Sequence, residues 1–238
     1  MPNWRPVRKE LRRLREARGT VSERPDRQQW DWYAAGCPCG LPAGACREHP
    51  RARASQRPPS GDWRCWLYLA GRGAGKTRAA AEWVRHRVES GQSRRVALVG
   101  ATAADVRDVM VEGPSGLLAV CPPWARPRYE PSRRRLAWPH GALALTYSAD
   151  EPDRLRGPQF EAAWVDELAA FRYPAALDNL LLGLRLGSDT RLCVTTTPRA
   201  VRLVTDLLAD ARTATTRATT YENRAHLAAS FFERVVSQ

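Results

Sequence analysis

Trp66-Leu67-Tyr68-Leu69-Ala70-Gly71-Arg72-Gly73-Ala74-Gly75-Lys76-Thr77 decides how the rest of the chain is read. An apolar run of strand length enters a glycine-rich turn. Arg78-Ala79-Ala80-Ala81-Glu82-Trp83-Val84, a strong helix former, follows directly. Ala70, Gly75, Lys76 and Thr77 fit the phosphate-binding loop pattern, with Ala where the strict form has Gly. Glycines let the backbone curl until several N–H groups face one anion, and a helix N-terminus adds its positive end. Gly71, Gly73, Ala74 and Gly75 supply that backbone. Lys76 would reach the β- and γ-phosphates of ATP, and the Thr77 hydroxyl would ligate Mg2+.

Working outward, further strands and helices alternate. Arg95–Gly100 reads as a buried strand, and Thr102 caps a predicted helix from Ala103 to about Val111, ended by Gly113-Pro114. Residues 135–138 and 142–147 flank Pro139-His140-Gly141 as a hairpin. Phe160 to Val165 is an apolar strand running into Asp166-Glu167. A helix over residues 174–182 and a strand over 191–194 follow, the latter entering Thr195-Thr196-Thr197-Pro198. A helix starting at or just after Pro198, a strand over 213–220, a turn at 221–223 and a helix over 227–236 complete the pattern. This alternation predicts an α/β fold of the P-loop NTPase kind, with a mostly parallel central sheet flanked by helices. Ligands in such sheets bind at the carboxyl ends of strands. The glycine-rich turn, the acid pair and the threonine triplet all fall at such ends, so they can meet at one edge.

Phosphoryl transfer to water needs positioning, charge neutralisation and an oriented nucleophile. Asp166 suits the Mg2+ shell, and Glu167 would orient or deprotonate the attacking water. Arg72 lies within the loop and could touch the γ-phosphate. Arg154 and Arg156 lie in a polar loop before the acids, where either could act on a neighbouring subunit's nucleotide. No acceptor-binding element of a kinase is evident.

The 238 residues carry a formal net charge of +13, which suggests a polyanionic partner such as nucleic acid. Coding bias competes as the explanation, because Lys9 and Lys76 are the only lysines and the remaining positive charge is Arg. Six cysteines do not make a disulfide scaffold in a chain this long. Residues 1–20 contain no apolar signal core, and no apolar run has transmembrane length, so a cytoplasmic location without membrane attachment is expected. Residues 1–54 read as a basic, poorly ordered extension and 55–238 as the ATPase domain. Cys37, Cys39, Cys46 and His49 offer zinc-ligand chemistry at irregular spacing.

With these residues in place the chain resembles the ATPase domain of bacteriophage terminase large subunits, of the kind in tailed phages, prophages and gene transfer agents. The resemblance rests on Gln56-Arg57-Pro58-Pro59, the loop Leu69–Thr77, Asp153–Gln159, Trp164–Ala169, Gly183–Gly187, Thr195–Arg199 and Tyr221-Glu222-Asn223. It implies that Gln56 contacts the adenine, Arg72 is the in-loop arginine, Arg156 acts in trans, and Thr195, Thr196 and Thr197 couple hydrolysis to movement. It also implies double-stranded DNA, a portal protein and a small terminase subunit as partners, and a homo-oligomeric ring on the portal. Family members continue into a nuclease domain. After Thr197 this chain offers only Asp206, Asp210, Glu222 and Glu233 as acids, so DNA cleavage by it is not expected. Two other readings compete: an inert prophage remnant that binds DNA through its basic N-terminus, and another P-loop DNA-dependent or helicase-like ATPase.

Overall fold

A computed structural model describes residues 30–35, 46 and 51–236. Strand β1 (Cys65–Ala70) is buried at every position, as its unbroken apolar run requires. The chain then turns through Gly75, whose φ of +87° favours glycine, into helix α1 (Lys76–Glu89). Strand β2 (Arg95–Gly100) follows.

Thr102 and Asp105 cap each other at the start of α2 (Ala103–Asp105). Thr102 Oγ1 accepts from Asp105 N at 3.1 Å, and Asp105 Oδ2 accepts from Thr102 N at 3.0 Å. The helix expected to reach Val111 does not stay regular. Residues Val106–Val111 widen into a π turn. That widening lets Val106, Met110 and Val111 all reach the core, where a 3.6-residue repeat would turn one of them aside.

Helix α3 (Leu117–Val120) leads to the strands β3 (Arg128–Glu130), β4 (Arg135–Ala137) and β5 (Leu143–Ser148), with β4 and β5 forming the expected hairpin. Next come β6 (Ala162–Asp166), α4 (Ala175–Gly183), β7 (Arg191–Thr196), α5 (Arg202–Ala209) and β8 (Thr213–Ala218). A 3-10 turn over Thr220–His226 and helix α6 (Ala229–Val236) end the described chain. Helix α5 starts later than expected from Pro198, because Val201 stays extended at its N-cap. Thr197 is thereby left outside any helix, as a residue preceding proline prefers.

The eight strands form one sheet in the order β3-β4-β5-β2-β6-β7-β1-β8. In that order every pairing from β5 through to β8 is parallel, and the β3–β4 and β4–β5 pairings are antiparallel. Alternate strand residues point to two cores. Trp66, Tyr68 and Trp164 face α1, the π turn and α3. Leu67, Leu69 and Val165 face α4 and α5. Burial on both faces accounts for the continuous apolar strands.

Part of the segment assigned to a separate N-terminal extension packs onto this domain. Trp32 and Ala52 are buried, and Ala52 N donates to Trp32 O at 2.8 Å. The Arg78 guanidinium lies 4.8 Å from the Trp32 ring centroid, and Arg85 Nη2 donates to Trp30 O at 2.6 Å. The boundary drawn at residue 54 therefore cuts through a packed contact. Composition suggested otherwise because the segment lacks apolar periodicity and anchors itself by single tryptophans and arginine stems. Of the candidate zinc ligands, Cys37, Cys39 and His49 lie outside the described residues, and Cys46 is buried. Among the described residues no helix is long and apolar enough to cross a membrane.

Candidate nucleotide site

The carboxyl ends of β1, β6 and β7 open onto a cavity of about 650 Å³, within the usual size of ligand pockets. Lys76 is the first residue of α1, and its ammonium folds back over the loop. Nζ donates to Ala70 O at 3.0 Å, Gly71 O at 3.2 Å and Thr197 Oγ1 at 3.3 Å, and lies 4.0 Å from Glu167 Oε2. Burial lowers its pKa, opposed by the nearby Glu167 and Asp166 carboxylates.

Asp166 ends β6. Burial pushes its pKa from 3.8 up to about 6, against the opposing pull of a 2.5 Å hydrogen bond from Thr195 Oγ1. Glu167, one residue on, has φ +50° and ψ +54°, a left-handed conformation that costs a non-glycine residue about 1–2 kcal/mol. The strained turn aims its carboxylate at the end of β7. There Oε1 accepts from Thr197 N at 2.9 Å and from Thr196 Oγ1 at 3.4 Å, while Oε2 accepts from Thr197 Oγ1 at 3.2 Å. Strain held by several hydrogen bonds is typical of a functional residue.

The structure brings most of the expected residues together. Arg72, Gly73, Gly75, Lys76, Thr77, Asp166, Glu167 and Thr197 line the cavity. Ala70 and Ala74 are buried behind it, and Gly71 packs against Thr220. Thr195 and Thr196 are fully buried beneath the acids. Two of the expected residues, Gln56 and Arg156, lie apart from the cavity lining. Gln56, expected on the adenine, is only 2% exposed, and its Nε2 donates to Gly75 O at 3.2 Å. In this structure it supports the loop. Arg156 does not line the cavity; it is exposed and ion-paired with Asp153 at 3.3 Å.

Other residues escaped the sequence reading. Arg78, Asp105, Asp108 and Arg199 also line the cavity. Arg53, Thr220 and Asn223 hydrogen-bond the loop, and Asn223 lines the cavity as well. Asn223 lay in a stretch already singled out, and Arg78 directly follows Thr77. Arg53 carried no signal, being one arginine among many in a segment read as tail.

The oxygen donors fit a hard dication. The Thr77 hydroxyl and the Asp166 carboxylate share the cavity, and the raised Asp166 pKa marks a buried negative charge with insufficient positive charge nearby. The ammonium, amide-rich loop and helix start fit a polyphosphate.

Comparison with known proteins agrees with this geometry. Residues 67–238 match the family described as terminase large subunit, T4likevirus-type, N-terminal. The large terminase ATPase domain of Thermus phage P74-26 superposes with a TM-score of 0.58 at 14% identity, over 79% of this chain and 89% of that one. The large terminase of another thermophilic bacteriophage, solved with ADP, superposes with a TM-score of 0.58 at 18% identity, over 73% of this chain. The matched region spans 44% of that second protein. The N-terminal domain of the phi29 DNA packaging ATPase gives a TM-score of 0.50 at 14% identity, over 66% of this chain and 91% of that one. No curated protein sequence matches. With its phosphate loop, acid pair and threonine triplet on one sheet edge, and a family match over most of its length, the chain belongs to the N-terminal domain family of terminase large subunits.

Proposed function

We propose that this chain is the ATP-hydrolysing domain of a DNA-packaging terminase, with the cavity at the carboxyl ends of β1, β6 and β7 as its active site. The observation that carries the reading is the approach of Lys76 Nζ to Glu167 Oε2 at 4.0 Å, with Thr197 Oγ1 bonded to both. A phosphate-binding cation and a carboxylate able to orient water thus flank one space. The solved relatives bound to ADP and to ATP-gamma-S support nucleotide as the ligand class.

Loop amides and the N-terminus of α1 receive the phosphates, and Lys76 neutralises their charge. Mg2+, held by Thr77 and Asp166, would supply further charge neutralisation across the phosphate oxygens. Glu167 accepts the proton of the attacking water at its carboxylate. Arg72, exposed on the loop, reaches the same space. Arg156 acts on a neighbouring subunit's nucleotide in a homo-oligomeric ring, a role its exposure permits. Thr195, Thr196 and Thr197 join the acids to β7 and form the coupling element. The partners are double-stranded DNA, a portal protein and a small terminase subunit, in the cytoplasm of a bacterial host.

The test is ATP hydrolysis by the purified chain with and without double-stranded DNA and portal. Turnover that rises with either, and nucleotide binding lost in Lys76→Ala, is the expected result. A wild-type chain that binds no ATP, or unchanged binding in Lys76→Ala, refutes the reading.

A further inference from the structure

Six consecutive carbonyl oxygens, from Ala70 to Gly75, each accept a hydrogen bond from a side chain. Lys76 takes the first two. The other four are taken from outside the loop. Thr220 Oγ1 donates to Arg72 O at 2.8 Å, and Asn223 Nδ2 to Gly73 O at 2.6 Å. Arg53 Nη2 donates to Ala74 O at 2.6 Å, and Gln56 Nε2 to Gly75 O at 3.2 Å. Arg53 Nη1 also donates to Asn223 Oδ1 at 2.8 Å, so a residue before β1 and one after β8 grip each other across the loop.

An anion-binding loop must turn N–H groups toward the ligand and carbonyls away from it. Glycine-rich backbone does not enforce that choice, because glycine accepts both signs of φ at little cost. One flipped peptide would aim a carbonyl dipole at the phosphates. Donors bonded to the loop carbonyls make such a flip expensive, since each flip breaks a hydrogen bond and leaves a donor unpaired. The Thr220 contact is close: a Cβ at Gly71 would lie 2.5 Å from Thr220 Oγ1.

We propose that Arg53, Gln56, Thr220 and Asn223 are positioning residues that hold the peptide planes of residues 72–75 in the anion-accepting orientation. Phosphate affinity then depends on segments at both ends of the described chain being docked on the loop. The inference rests on the nucleotide reading above and adds to it four residues that act through the loop backbone, of which Asn223 also lines the cavity.

The experiment uses the full chain and measures affinity for ADP and for inorganic pyrophosphate by calorimetry, together with KM, kcat and melting temperature. Thr220→Val keeps the shape and loses the donor. It should weaken both ligands about threefold to tenfold, as expected for one hydrogen bond, by raising KM more than it lowers kcat. Thr220→Ser should bind within about twofold of wild type, since the donor is restored. Asn223→Asp keeps the acceptor for Arg53 but sets a carboxylate against Gly73 O. It should lose about tenfold or more although its pair with Arg53 is strengthened, part of that by repulsion of the anion, since Asn223 lines the cavity. Asn223→Ala adds no charge and should still lose about threefold to tenfold. Asn223 lies outside the core, so these variants serve if Thr220→Val fails to fold. Pyrophosphate binding at wild-type strength in Thr220→Val, Asn223→Asp or Asn223→Ala overturns the inference, and so does equal weakening in Thr220→Val and Thr220→Ser. Both outcomes leave the nucleotide reading standing. A wild-type chain that binds neither ligand overturns both.

Discussion

Replacing Asp166 with Asn should stabilise the ligand-free protein while removing its turnover. Asn keeps the shape and can still accept the hydrogen bond that Thr195 Oγ1 gives to Asp166 Oδ1. What it removes is a charge that burial makes costly. The Asp166 pKa stands at about 6 in the folded protein against an ordinary 3.8. Native protein therefore holds this proton more tightly than unfolded protein, so stability falls as pH rises through about 4 to 6 and stays reduced above that window. The gap between the two values, at about 1.4 kcal/mol per pH unit, sets an upper bound of about 3 kcal/mol. Asp166 also lines the open cavity, so solvent screening brings the expected gain nearer to about 2 kcal/mol at about pH 7.5. For a domain of this size that is a rise in melting temperature of about 4–8 °C. The assay is urea and thermal unfolding of both proteins from about pH 4.5 to 8 without nucleotide. The stability difference should grow with pH and level off near pH 7. A flat difference, or a less stable variant above the window, would mean that the ionised carboxylate is well paired, with Lys76 as the partner. Asp166 would then not be an undercompensated charge awaiting a cation.

Three further outcomes follow from named contacts. Glu167→Gln should keep nucleotide binding and lose about 10²- to 10⁴-fold in turnover, read by comparing calorimetry with phosphate release. Gly75→Ala should lower stability by about 1–2 kcal/mol and weaken nucleotide binding, because φ is +87° and the new Cβ would lie 2.6 Å from Gln56 Nε2; unfolding curves and ADP titration check it. Deleting residues 1–54 should weaken ADP binding as well as any DNA binding, because it removes Arg53 from Ala74 O and Trp32 from Arg78. Unchanged ADP affinity in that truncation would refute the packed role of the segment.

The fold class and the meeting of loop, acids and threonines at one edge were legible because each rests on a local pattern. Apolar runs mark buried strands, and the motif residues fall where those runs stop. Strand order was not legible. Nothing in Arg191–Thr196 says that this strand separates β1 from β6, since crossover order is set by packing of helices onto both faces. Gln56 was placed on the adenine by resemblance, yet it lies against Gly75, and motif spacing carries no information about which side of a loop a side chain approaches. The contribution of Arg53 was illegible for a related reason. It depends on a contact with Asn223, 170 positions away, and in so arginine-rich a chain one arginine offers no contrast.

The strand order also explains why three successive threonines can serve one site. Because β7 lies between β6 and β1, its end faces the two acids on one side and the loop with Lys76 on the other. Thr195 accepts from Trp164 Nε1 at 3.1 Å and donates to Asp166. Thr196 accepts from Ala169 N at 3.0 Å, fixing the turn that strains Glu167. Thr197 stands past the end of the strand, where its hydroxyl accepts from Lys76 and donates to Glu167. A hydroxyl has one proton to give, and with Lys76 donating to its lone pair that proton is directed to Glu167. A phosphate drawing Lys76 away frees the Thr197 lone pair and its orientation, and the change arrives at Glu167, the carboxylate proposed to orient water. Were β7 an edge strand beyond β1, Thr197 could reach the lysine but neither acid, and an event at the phosphate would have no hydrogen-bonded route to Glu167. The insertion of β7 between the two motif strands is thus the topological condition for the coupling assigned to these threonines.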